Sequence, residues 1–556
     1  MKNIRIGEVL IEAGQLTEAQ LQQALEAQKQ AGDKRVGQIL IEKGFVTEAQ
    51  VLSALSQKLG YPLVDLNTYP VDTQAVGILP RPIAERYNLL AVGKKDGQLT
   101  VVMSDPLNFY AVEEARQISG MPLEIVLGTR AQIENAIRYH YADVETRSSV
   151  SSIEQSAAEP AAAQEIVEID ESDAGVVKLL NSMINQGFAS GASDIHIEPQ
   201  EMSTLVRMRL DGTILDYTTL PRTVHASLIA RVKIISGLDI AERRLPQDGH
   251  FRTRIGGADV NVRVSVIPTV YGEKAVLRFL SNNNAIDYAG HFGMNDANYE
   301  KMQQILRSPY GIVYITGPTG SGKTTTLYMM LEEFTHRAYN ISTIEDPVER
   351  NVERVNQMQV NNVSGLTFDT GLRALLRQDP DIIMVGETRD SETASISVRA
   401  AITGHLVLST LHTNNAVSSI VRLEDMDVPP YLVSSAVVGI VAQRLVRKIC
   451  PYCREEYVPD AADRALLPAD IQKAYRGHGC NYCKNTGYKG RVAIHEILPI
   501  DRELRRMISA GETADTMTDY ARKKLGMRSL RDEALALVRT GVTTVEELVK
   551  VAFATD

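Results

Sequence analysis

The hydrophobic positions at the start of the chain recur at helical spacing, and the pattern occurs twice. In residues 4–14, IRIGEVLIEAG, apolar side chains follow an i, i+3, i+4, i+7 spacing from Ile6 until Gly14 ends the helix. Residues 34–44, KRVGQILIEKG, repeat it, and each copy continues through TEAQ into a leucine-rich helix that starts with a T-x-x-Q capping box. A solenoid needs about three repeats to cover its core. The pattern therefore predicts a pseudo-two-fold helical unit over residues 1–67.

The hydrophobic pattern changes several times further along the chain. Residues 68–141 mix strand and helix patterns and predict a small mixed domain. Residues 142–175 are rich in Ser, Ala and acid and poor in aromatics, which predicts a flexible linker, because little apolar surface is available to offset the entropy of ordering. Residues 176–284 alternate around one helix, with Asp211-Gly212 as a hairpin turn, and predict an α+β domain. In residues 285–446, apolar strands alternate with helices, so the fold class is a multidomain α/β protein with a mostly parallel sheet.

Composition and charge narrow the functions that remain. The chain has 556 residues, which suggests roughly three to five domains. Its 59 basic and 69 acidic residues give a net charge of −10, so the whole molecule has no electrostatic preference for nucleic acid or anionic lipid. No apolar run approaches the ~20 residues of a membrane span, and the N-terminus lacks a signal-peptide core. We expect a cytoplasmic protein.

The 4 cysteines form two CxxC pairs in one short segment. They are Cys450, Cys453, Cys480 and Cys483. Such spacing predicts a four-thiolate metal site, in which Zn²⁺ has no open position for water and acts structurally. Disulfides are the alternative, and a reducing cytoplasm disfavours them. We assign residues 447–500 to this module and residues 501–556 to a charged helical tail.

The strongest chemical motif is GPTGSGKTTT at residues 317–326, which fits G-x-x-x-x-G-K-[ST]. Its glycines let backbone amides surround phosphates, Lys323 neutralises the β and γ oxygens, and the Thr324 hydroxyl is available to Mg²⁺. A β-branched strand precedes the motif and a helix follows it, so the helix N-terminus faces the anion. The motif predicts an ATP and Mg²⁺ site formed by Gly317, Pro318, Thr319, Gly320, Ser321, Gly322, Lys323, Thr324 and Thr325.

Hydrolysis also requires a carboxylate near the attacking water and positive charge at the transition state. Glu345 in STIEDPVE and Glu387 in DPDIIMVGETRD each follow a predicted strand. Gly386 stands where an acidic residue often precedes the strand-end acid, so Mg²⁺ contact at this point would run through water. His405 and His412 flank the next strand, and each is open to a structural role or to one facing the nucleotide.

Four motifs occur in close order: GPTGSGKTTT, STIEDPVE, LLRQDPDIIMVGETRD and AAITGHLVLSTLHTN. They resemble the Walker A motif, aspartate box, Walker B motif and histidine box of the type II secretion and type IV pilus assembly ATPases. With SDIHIEP, RMRLDG and ERRLPQDGHF upstream, the resemblance covers residues 176–500. It implies a RecA-like P-loop core preceded by a PAS-like α+β domain. It also implies a ring hexamer in which that domain closes over the nucleotide of a neighbouring subunit, and an inserted four-cysteine zinc module.

The resemblance also implies roles for individual residues. Glu345 would help to position the attacking water, Glu387 would be the Walker B acid, and His412 would belong to the catalytic set. Arginines of the α+β domain would supply positive charge, and the best-matching positions are Arg209 and Arg231. Arg207 and Arg222 stay open as alternatives.

The repeats resemble a second family. Residues 5–28 and 35–58 are similar to the tandem motif RLGxxLxxxGxxxxxxLxxxLxxQ of the N-terminal cyclic-di-GMP-binding domain on some pilus and secretion ATPases, such as the mannose-sensitive haemagglutinin pilus ATPase. The second copy departs from the motif at Val51 and Lys58. The alternative is a helical docking module for a membrane platform. The matching residues are Arg5, Gly7, Leu10, Gly14, Leu21, Leu25 and Gln28, then Arg35, Gly37, Leu40, Gly44 and Leu55.

Together the motifs and the two resemblances imply a homo-hexameric ATP hydrolase that assembles a type IV pilus or a type II secretion pseudopilus. It would act through an inner-membrane platform protein at the cytoplasmic face of the membrane, under control of cyclic-di-GMP. A regulatory protein with vestigial turnover is disfavoured by the intact Lys323, Glu345 and Glu387. A nucleic-acid motor is disfavoured by the acidic charge. A retraction ATPase is disfavoured because those proteins lack the zinc module and the N-terminal extension.

Overall fold

The computed structural model divides the chain into two compact units. One unit comprises Met1–Leu280 with Cys480–Asn485, and the other comprises Ser281–Gly479 with Thr486–Asp556. The residues that the structure describes are 6–31, 36–157, 174–280 and 293–553. Among these described residues, no helix is both long and apolar enough to cross a membrane.

The two repeats form four helices, namely α1 Ile6–Glu12, α2 Glu18–Ala31, α3 Val36–Glu42 and α4 Glu48–Leu59. Both predicted capping boxes are present, because the hydroxyls of Thr17 and Thr47 accept the amides three residues onward at 3.3 Å. Gly14 and Gly44 have φ of 68° and 70°, the left-handed conformation that ends each short helix. Leu10 and Leu40 are fully buried and join the core below the repeats.

Gly7 and Gly37 occupy equivalent positions in the two repeats but pack differently. A Cβ added at Gly7 would lie 2.4 Å from Leu21 Cδ1, whereas one added at Gly37 would lie 3.6 Å from Val51 Cγ1. Val51 stands where the first copy has Leu21, and the shorter side chain leaves an ordinary contact distance. Only the first repeat therefore requires glycine for packing.

The rest of the first unit contains two sheets. In the three-stranded sheet, β1 Leu89–Lys95 pairs antiparallel with β2 Gln98–Met103, which pairs parallel with β3 Leu123–Leu127. The helices of this domain are α5 Thr73–Val76, α6 Arg81–Tyr87, α7 Phe109–Ser119 and α8 Arg130–Ala157.

The flexible linker predicted for residues 142–175 is wrong over its first part, because α8 continues to Ala157. The helix continues because its face packs on α9, Ala174–Ser190. Thr146 Oγ1 lies 2.6 Å from Ser182 Oγ, and both side chains are buried. Amino-acid composition is an average over the whole segment. It therefore does not reveal that one face of the helix carries apolar and hydroxyl side chains. Residues 158–173 lie outside the described residues.

The α+β domain consists of one antiparallel sheet of 6 strands in the order β6-β5-β4-β9-β8-β7. Asp211 and Gly212, with φ of 47° and 88°, form the predicted hairpin turn between β5 and β6. α9 and α10 Arg222–Ile235 pack on the sheet. The strands are β4 Ala192–Pro199, β5 Ser203–Leu210, β6 Thr213–Pro221, β7 Gln247–Ile255, β8 Ala258–Thr269 and β9 Gly272–Leu280.

The second unit is built on a sheet of 7 strands in the order β12-β11-β13-β14-β10-β15-β18, in which only β18 runs antiparallel to its neighbour. Helices cover both faces, so every residue of β10, β11, β13 and β14 is buried, as parallel strands require. The strands are β10 Gly311–Thr316, β11 Ile341–Glu345, β12 Val355–Gln359, β13 Ile382–Val385, β14 Leu406–Leu411, β15 Val437–Ile449 and β18 Tyr488–Pro499.

The helices of this core pack against the sheet around two apolar clusters. They are α11 Asp296–Leu306, α12 Lys323–Thr335, α13 Phe368–Leu375, α14 Ser391–Ile402, α15 Ser418–Asp425 and α16 Pro430–Ala436.

The cysteine module is smaller than the predicted residues 447–500, because both of its ends belong to the main sheet. β15 continues to Ile449 and β18 begins at Tyr488, and the two strands pair with each other. The inserted segment contains β16 Arg454–Tyr457, α17 Ala461–Leu466 and β17 Ala474–Gly477.

The charged tail forms four helices and joins the core through a buried ion pair. Arg447 Nη2 lies 2.7 Å from Glu547 Oε1, with the two side chains 12% and 6% exposed. The tail therefore packs as part of the second unit. Its helices are α18 Arg502–Ser509, α19 Ala514–Lys524, α20 Leu530–Arg539 and α21 Val545–Phe553.

The packing difference between the repeats predicts opposite effects for one substitution made in each. Gly7→Ala forces Leu21 to move and destabilises its repeat by about 1–3 kcal/mol, whereas Gly37→Ala gains about 0.5–1 kcal/mol of helix stability. Hydrogen exchange in the full chain would measure this, with faster exchange of α1 and α2 amides in Gly7→Ala. Equal exchange in the two variants would contradict the packing described here.

Candidate functional site

The loop between β10 and α12 has backbone conformations that favour glycine. Gly317, Gly320 and Gly322 have φ of 149°, 78° and 86°. A Cβ added at Gly317 would lie 2.4 Å from the Gln443 carbonyl oxygen. The loop therefore curls at the N-terminus of α12, where free amides and the helix dipole favour an anion. Of the predicted nucleotide-binding residues, Gly317, Pro318, Thr319, Gly320, Ser321 and Gly322 form the loop, and Lys323, Thr324 and Thr325 form the first turn of α12.

Lys323 is held inside this loop. Its Nζ donates to the carbonyl oxygens of Gly317 and Pro318 at 2.8 and 3.1 Å. Burial lowers the pKa of Lys323 to about 8, against the opposing effect of the Glu387 carboxylate. The ammonium group is thus placed at the loop with much of its hydration removed, where a polyphosphate would strengthen its charged form.

Gln443, which the motifs did not indicate, braces the loop from β15. Its Nε2 donates to the Ser321 carbonyl at 2.8 Å, and its Oε1 accepts the Thr326 hydroxyl at 2.8 Å. The side chain is 2% exposed. A single amide directly after the apolar run VVGIVA was the signal that could have found it.

Glu387 and His412 come together beside Lys323. The Glu387 carboxylate lies 2.7 Å from Arg389 Nη2 and 3.6 Å from His412 Nε2. Burial, and then the charge of Lys323, lower the pKa of His412 in spite of that carboxylate. This neutral histidine and the carboxylate lie where β13 and β14 end, at the edge of the sheet that holds the P-loop.

Gly386, the departure from an acidic pair, has a packing reason. Its amide donates to the Ile344 carbonyl at 2.8 Å, and an added Cβ would lie 3.3 Å from the Glu345 Cα. A larger residue would press on the backbone of β11. The strand end therefore presents one carboxylate, that of Glu387.

Glu345 is placed in different surroundings from Glu387. It ends β11 and is 2% exposed. Its carboxylate accepts the hydroxyls of Tyr328 and Thr343, the latter at 2.5 Å, and the Gln357 amide at 3.0 Å. The predicted role at the attacking water stays a prediction, and the donors that surround the carboxylate were not foreseen.

The two histidines that flank β14 lie at opposite ends of the strand. His412 follows Leu411 on the P-loop edge, whereas His405 precedes Leu406 at the other edge. The Nδ1 of His405 lies 3.0 Å from the Ala400 carbonyl oxygen near the end of α14. This contact favours the structural role for His405.

The predicted arginines all lie in the α+β domain of the first unit. Arg209 on β5 donates to the Gly212 carbonyl at 2.8 Å, which stabilises the hairpin turn. Arg207 pairs with Glu198 at 2.8 Å, and Arg222 donates to the Glu201 carbonyl at 2.8 Å. Arg231 lies on α10 and is partly buried. A role for any of them at the nucleotide of a neighbouring subunit stays a prediction.

The four cysteines converge as their spacing predicted. All are buried, and their sulfur atoms lie within 4.8 Å of one another. Backbone amides of Gly479 and Cys480 donate to the sulfurs of Cys453 and Cys483 at 3.3 and 3.2 Å. The Cys480 and Cys483 sulfurs are 3.7 Å apart, close to the ~3.8 Å of a tetrahedral site with ~2.3 Å metal–sulfur bonds. The donor set therefore fits Zn²⁺.

A cavity of about 920 Å³ lies among the N-terminal repeat helices and the loops of the three-stranded sheet. Both repeats line it, so the predicted two-fold unit encloses a common space. Six of the predicted binding residues line this cavity, namely Gly7, Leu21, Leu25, Gln28, Gly37 and Leu55.

Four other motif residues do not line the cavity and have structural roles. Leu10 and Leu40 are fully buried in the core, and Gly14 and Gly44 end the helices. A role for these four residues in ligand binding stays a prediction. Arg5 and Arg35 lie outside the described residues. Lys58 is exposed and is not among the residues lining the cavity, whereas Gln28, its counterpart, is.

The parallel sheet with its P-loop, Lys323, Glu387 and His412 at one edge defines a P-loop nucleotide hydrolase. The family model for "Type II/IV secretion system protein" matches residues 170–550, and that for the "MshEN domain" matches residues 59–147. The chain belongs to the type II/IV secretion system protein family. The members of this family that are described next are ATP hydrolases of secretion and pilus assembly.

Two relatives illustrate this membership. The type II secretion system ATPase E of Vibrio cholerae is 39% identical over 494 residues, which are 87% of this chain and 98% of that protein. The type IV pilus assembly ATPase PilB of Thermus thermophilus is 42% identical over 98% of this chain, which spans 65% of the length of that relative. Among solved structures, the Legionella pneumophila ATPase DotB shares the fold, with a TM-score of 0.50 and 21% sequence identity. The match covers 71% of this chain and 98% of the DotB chain.

The lowered pKa of Lys323 predicts proton uptake when ATP binds near pH 8, because the polyphosphate favours the charged amine and raises its pKa. Affinity should therefore fall as the pH rises from about 8 towards about 9. Calorimetry with a non-hydrolysable ATP analogue, in buffers of different ionisation enthalpy, measures this uptake. Lys323→Arg keeps the charge at every pH and should abolish the uptake. Equal uptake by both proteins would contradict the assignment.

Proposed function

We propose that this chain is a hexameric motor that couples ATP hydrolysis to assembly of a type IV pilus or a type II secretion pseudopilus through an inner-membrane platform protein. The observation that carries the proposal is the convergence of Lys323, Glu387 and His412 beside the P-loop. The motor would work in the cytoplasm, at the membrane face, through its protein partners. The acidic net charge of −10 argues against nucleic acid as the substrate.

The residues of the site have separate roles in ATP binding and hydrolysis. The loop amides and Lys323 bind the β and γ phosphates. The Thr324 hydroxyl and Glu387 would hold a Mg²⁺ ion, which would supply positive charge to those phosphates. His412 is held neutral, so it donates or accepts a hydrogen bond without adding charge. Glu345 orients the attacking water, and Arg209 and Arg231 of a neighbouring subunit meet the charge of the transition state.

A steady-state ATPase assay on the full chain with Mg²⁺ tests this assignment. Glu387→Gln should lower kcat by about 100-fold or more while nucleotide binding is retained, since the charge acts on the transition state. Glu392→Gln is the matched control, because Glu392 is exposed and pairs with Arg373 on the surface. A wild-type protein without turnover, or one stimulated by DNA, would contradict the proposed motor.

The N-terminal cavity supports a regulatory ligand, which we assign as cyclic-di-GMP. Its volume suits a large small molecule. Leu21, Leu25 and Leu55 offer apolar contact to purine faces, and Gln28 and Arg130 offer donors to phosphate or base oxygens. The tandem motif provides the two arginines, Arg5 and Arg35, for the two phosphates. Acidic residues of the lining offer acceptors for the exocyclic amino group of guanine, namely Glu8, Glu42 and Asp105.

Calorimetric titration of cyclic-di-GMP into the full chain tests the regulatory site. Binding should weaken more than about tenfold in Arg5→Ala and in Gln28→Ala, because each removes a hydrogen-bond donor to the ligand. Lys58→Ala should bind like the wild type, because Lys58 is exposed and lies away from the cavity lining. The bound ligand should also change the ATPase rate. Absence of binding by calorimetry and by a second method would favour the docking module instead.

The proposal also includes a structural Zn²⁺ site at the four cysteines. Four thiolates hold Zn²⁺ in a closed site, which keeps the segment inserted between β15 and β18 folded. The ion supplies structural cross-links and leaves the nucleotide chemistry to the sheet edge.

A further inference from the structure

The carboxylate of Glu345 is held by three donors from three different elements. Tyr328 of α12 donates its hydroxyl to Oε2. Thr343 of β11 donates to Oε1 at 2.5 Å, and the Gln357 amide of β12 donates to Oε1 at 3.0 Å. Such an arrangement favours one orientation of the side chain.

The Tyr328 hydroxyl also contacts the segment that follows β11, a segment that the Gln357 amide reaches as well by donating to the Arg350 carbonyl at 2.9 Å. It accepts the backbone amides of Glu349 and Arg350 at 3.1 and 3.3 Å. The Arg350 guanidinium lies 5.3 Å from the centre of the Tyr328 ring and pairs with Glu332 of α12. One hydroxyl therefore links the end of β11 to the segment that follows it.

Tyr328 also belongs to the helix that carries the phosphate-binding lysine. α12 begins at Lys323, so Tyr328 lies about one and a half turns into the same helix. A displacement of the P-loop helix would move the hydroxyl, and with it the Glu345 carboxylate. The connection is made by direct hydrogen bonds through buried groups, Tyr328 and Glu345 being 3% and 2% exposed.

The proton of this pair stays on the tyrosine. Burial raises the pKa of Tyr328, and the hydrogen bond to Glu345 raises it further. The other charged groups near the hydroxyl are Arg350 and, beyond it, Glu332. From β12 and β13 the neighbours of Glu345 are Gln357 and Gly386, which carry no titratable group.

We propose that Tyr328 is a positioning residue for catalysis: its hydroxyl fixes the orientation of the Glu345 carboxylate and ties it to the P-loop helix and to the segment after β11. The inference rests on the proposed function, in which Glu345 orients the attacking water. Tyr328 itself has no contact with the nucleotide in this role.

The test is Tyr328→Phe in the full chain, which keeps the ring and its packing but removes the hydroxyl. We expect kcat to fall about tenfold, the cost of one hydrogen bond to a charged group, with KM for ATP within about twofold of the wild type. A purely structural loss would raise KM together with the fall in kcat, so the split between kcat and KM is the readout of a positioning role.

Tyr339→Phe is the matched control. It removes the hydroxyl of a tyrosine that is 42% exposed and packs edge-on against Phe334 in the same unit. It should leave kcat and KM unchanged. Thr343→Val, a substitution of similar shape, is the second variant if Tyr328→Phe does not fold, and it should also lower kcat with little change in KM.

The outcomes separate this inference from the proposed function. A fall in kcat with a comparable rise in KM would mean that Tyr328 is only structural and would overturn the inference, as would an unchanged kcat. The Glu345→Gln variant tests the assumption on which the inference rests, namely that Glu345 orients the attacking water. If Glu345→Gln turns over ATP like the wild type, the proposed role of Glu345 fails; if it is inactive while Tyr328→Phe is unaffected, only the inference fails.

Discussion

The fully buried parallel strands of the second unit are the constraint on which the catalytic arrangement depends. Because β10, β11, β13 and β14 are covered on both faces, all of their residues are buried and most are apolar, and the charged groups of the site lie at or just beyond the strand ends. The carboxyl ends of parallel strands meet at one edge. The P-loop, Glu345, Glu387 and His412 are therefore brought together by topology, although they lie far apart along the chain.

Polar groups at that edge are satisfied by neighbours from several elements. Gln443 of β15 holds the P-loop carbonyl of Ser321, and Tyr328 of α12 holds Glu345. A buried polar group without a partner costs about 1–3 kcal/mol, so each such residue stabilises the edge as well as shaping it. The phosphate-binding groups and their supports thus form one packed network.

The smaller parts of the chain are each stabilised by something other than a hydrophobic core of their own. The repeats share a core with the three-stranded sheet and leave a common cavity beside Gly7 and Gly37. The cysteine segment has few strands of its own, and its sulfur atoms converge within 4.8 Å instead. The tail returns to β15 through the Arg447 and Glu547 pair. Small segments are stabilised here by a neighbour, by a cluster of ligands or by a buried ion pair.

The sequence by itself determined the features that depend on neighbouring residues: the P-loop, the capping boxes, the hairpin at Asp211-Gly212 and the pairing of cysteines into one site. These follow from local backbone geometry and motif spacing. Only the tertiary structure decided that Leu10 and Leu40 lie in the core, that α8 continues through the supposed linker, and that β18 joins the main sheet. It also placed Tyr328 and Gln443 beside the site. Such contacts join residues distant in the chain, and no local pattern encodes which buried surfaces will meet.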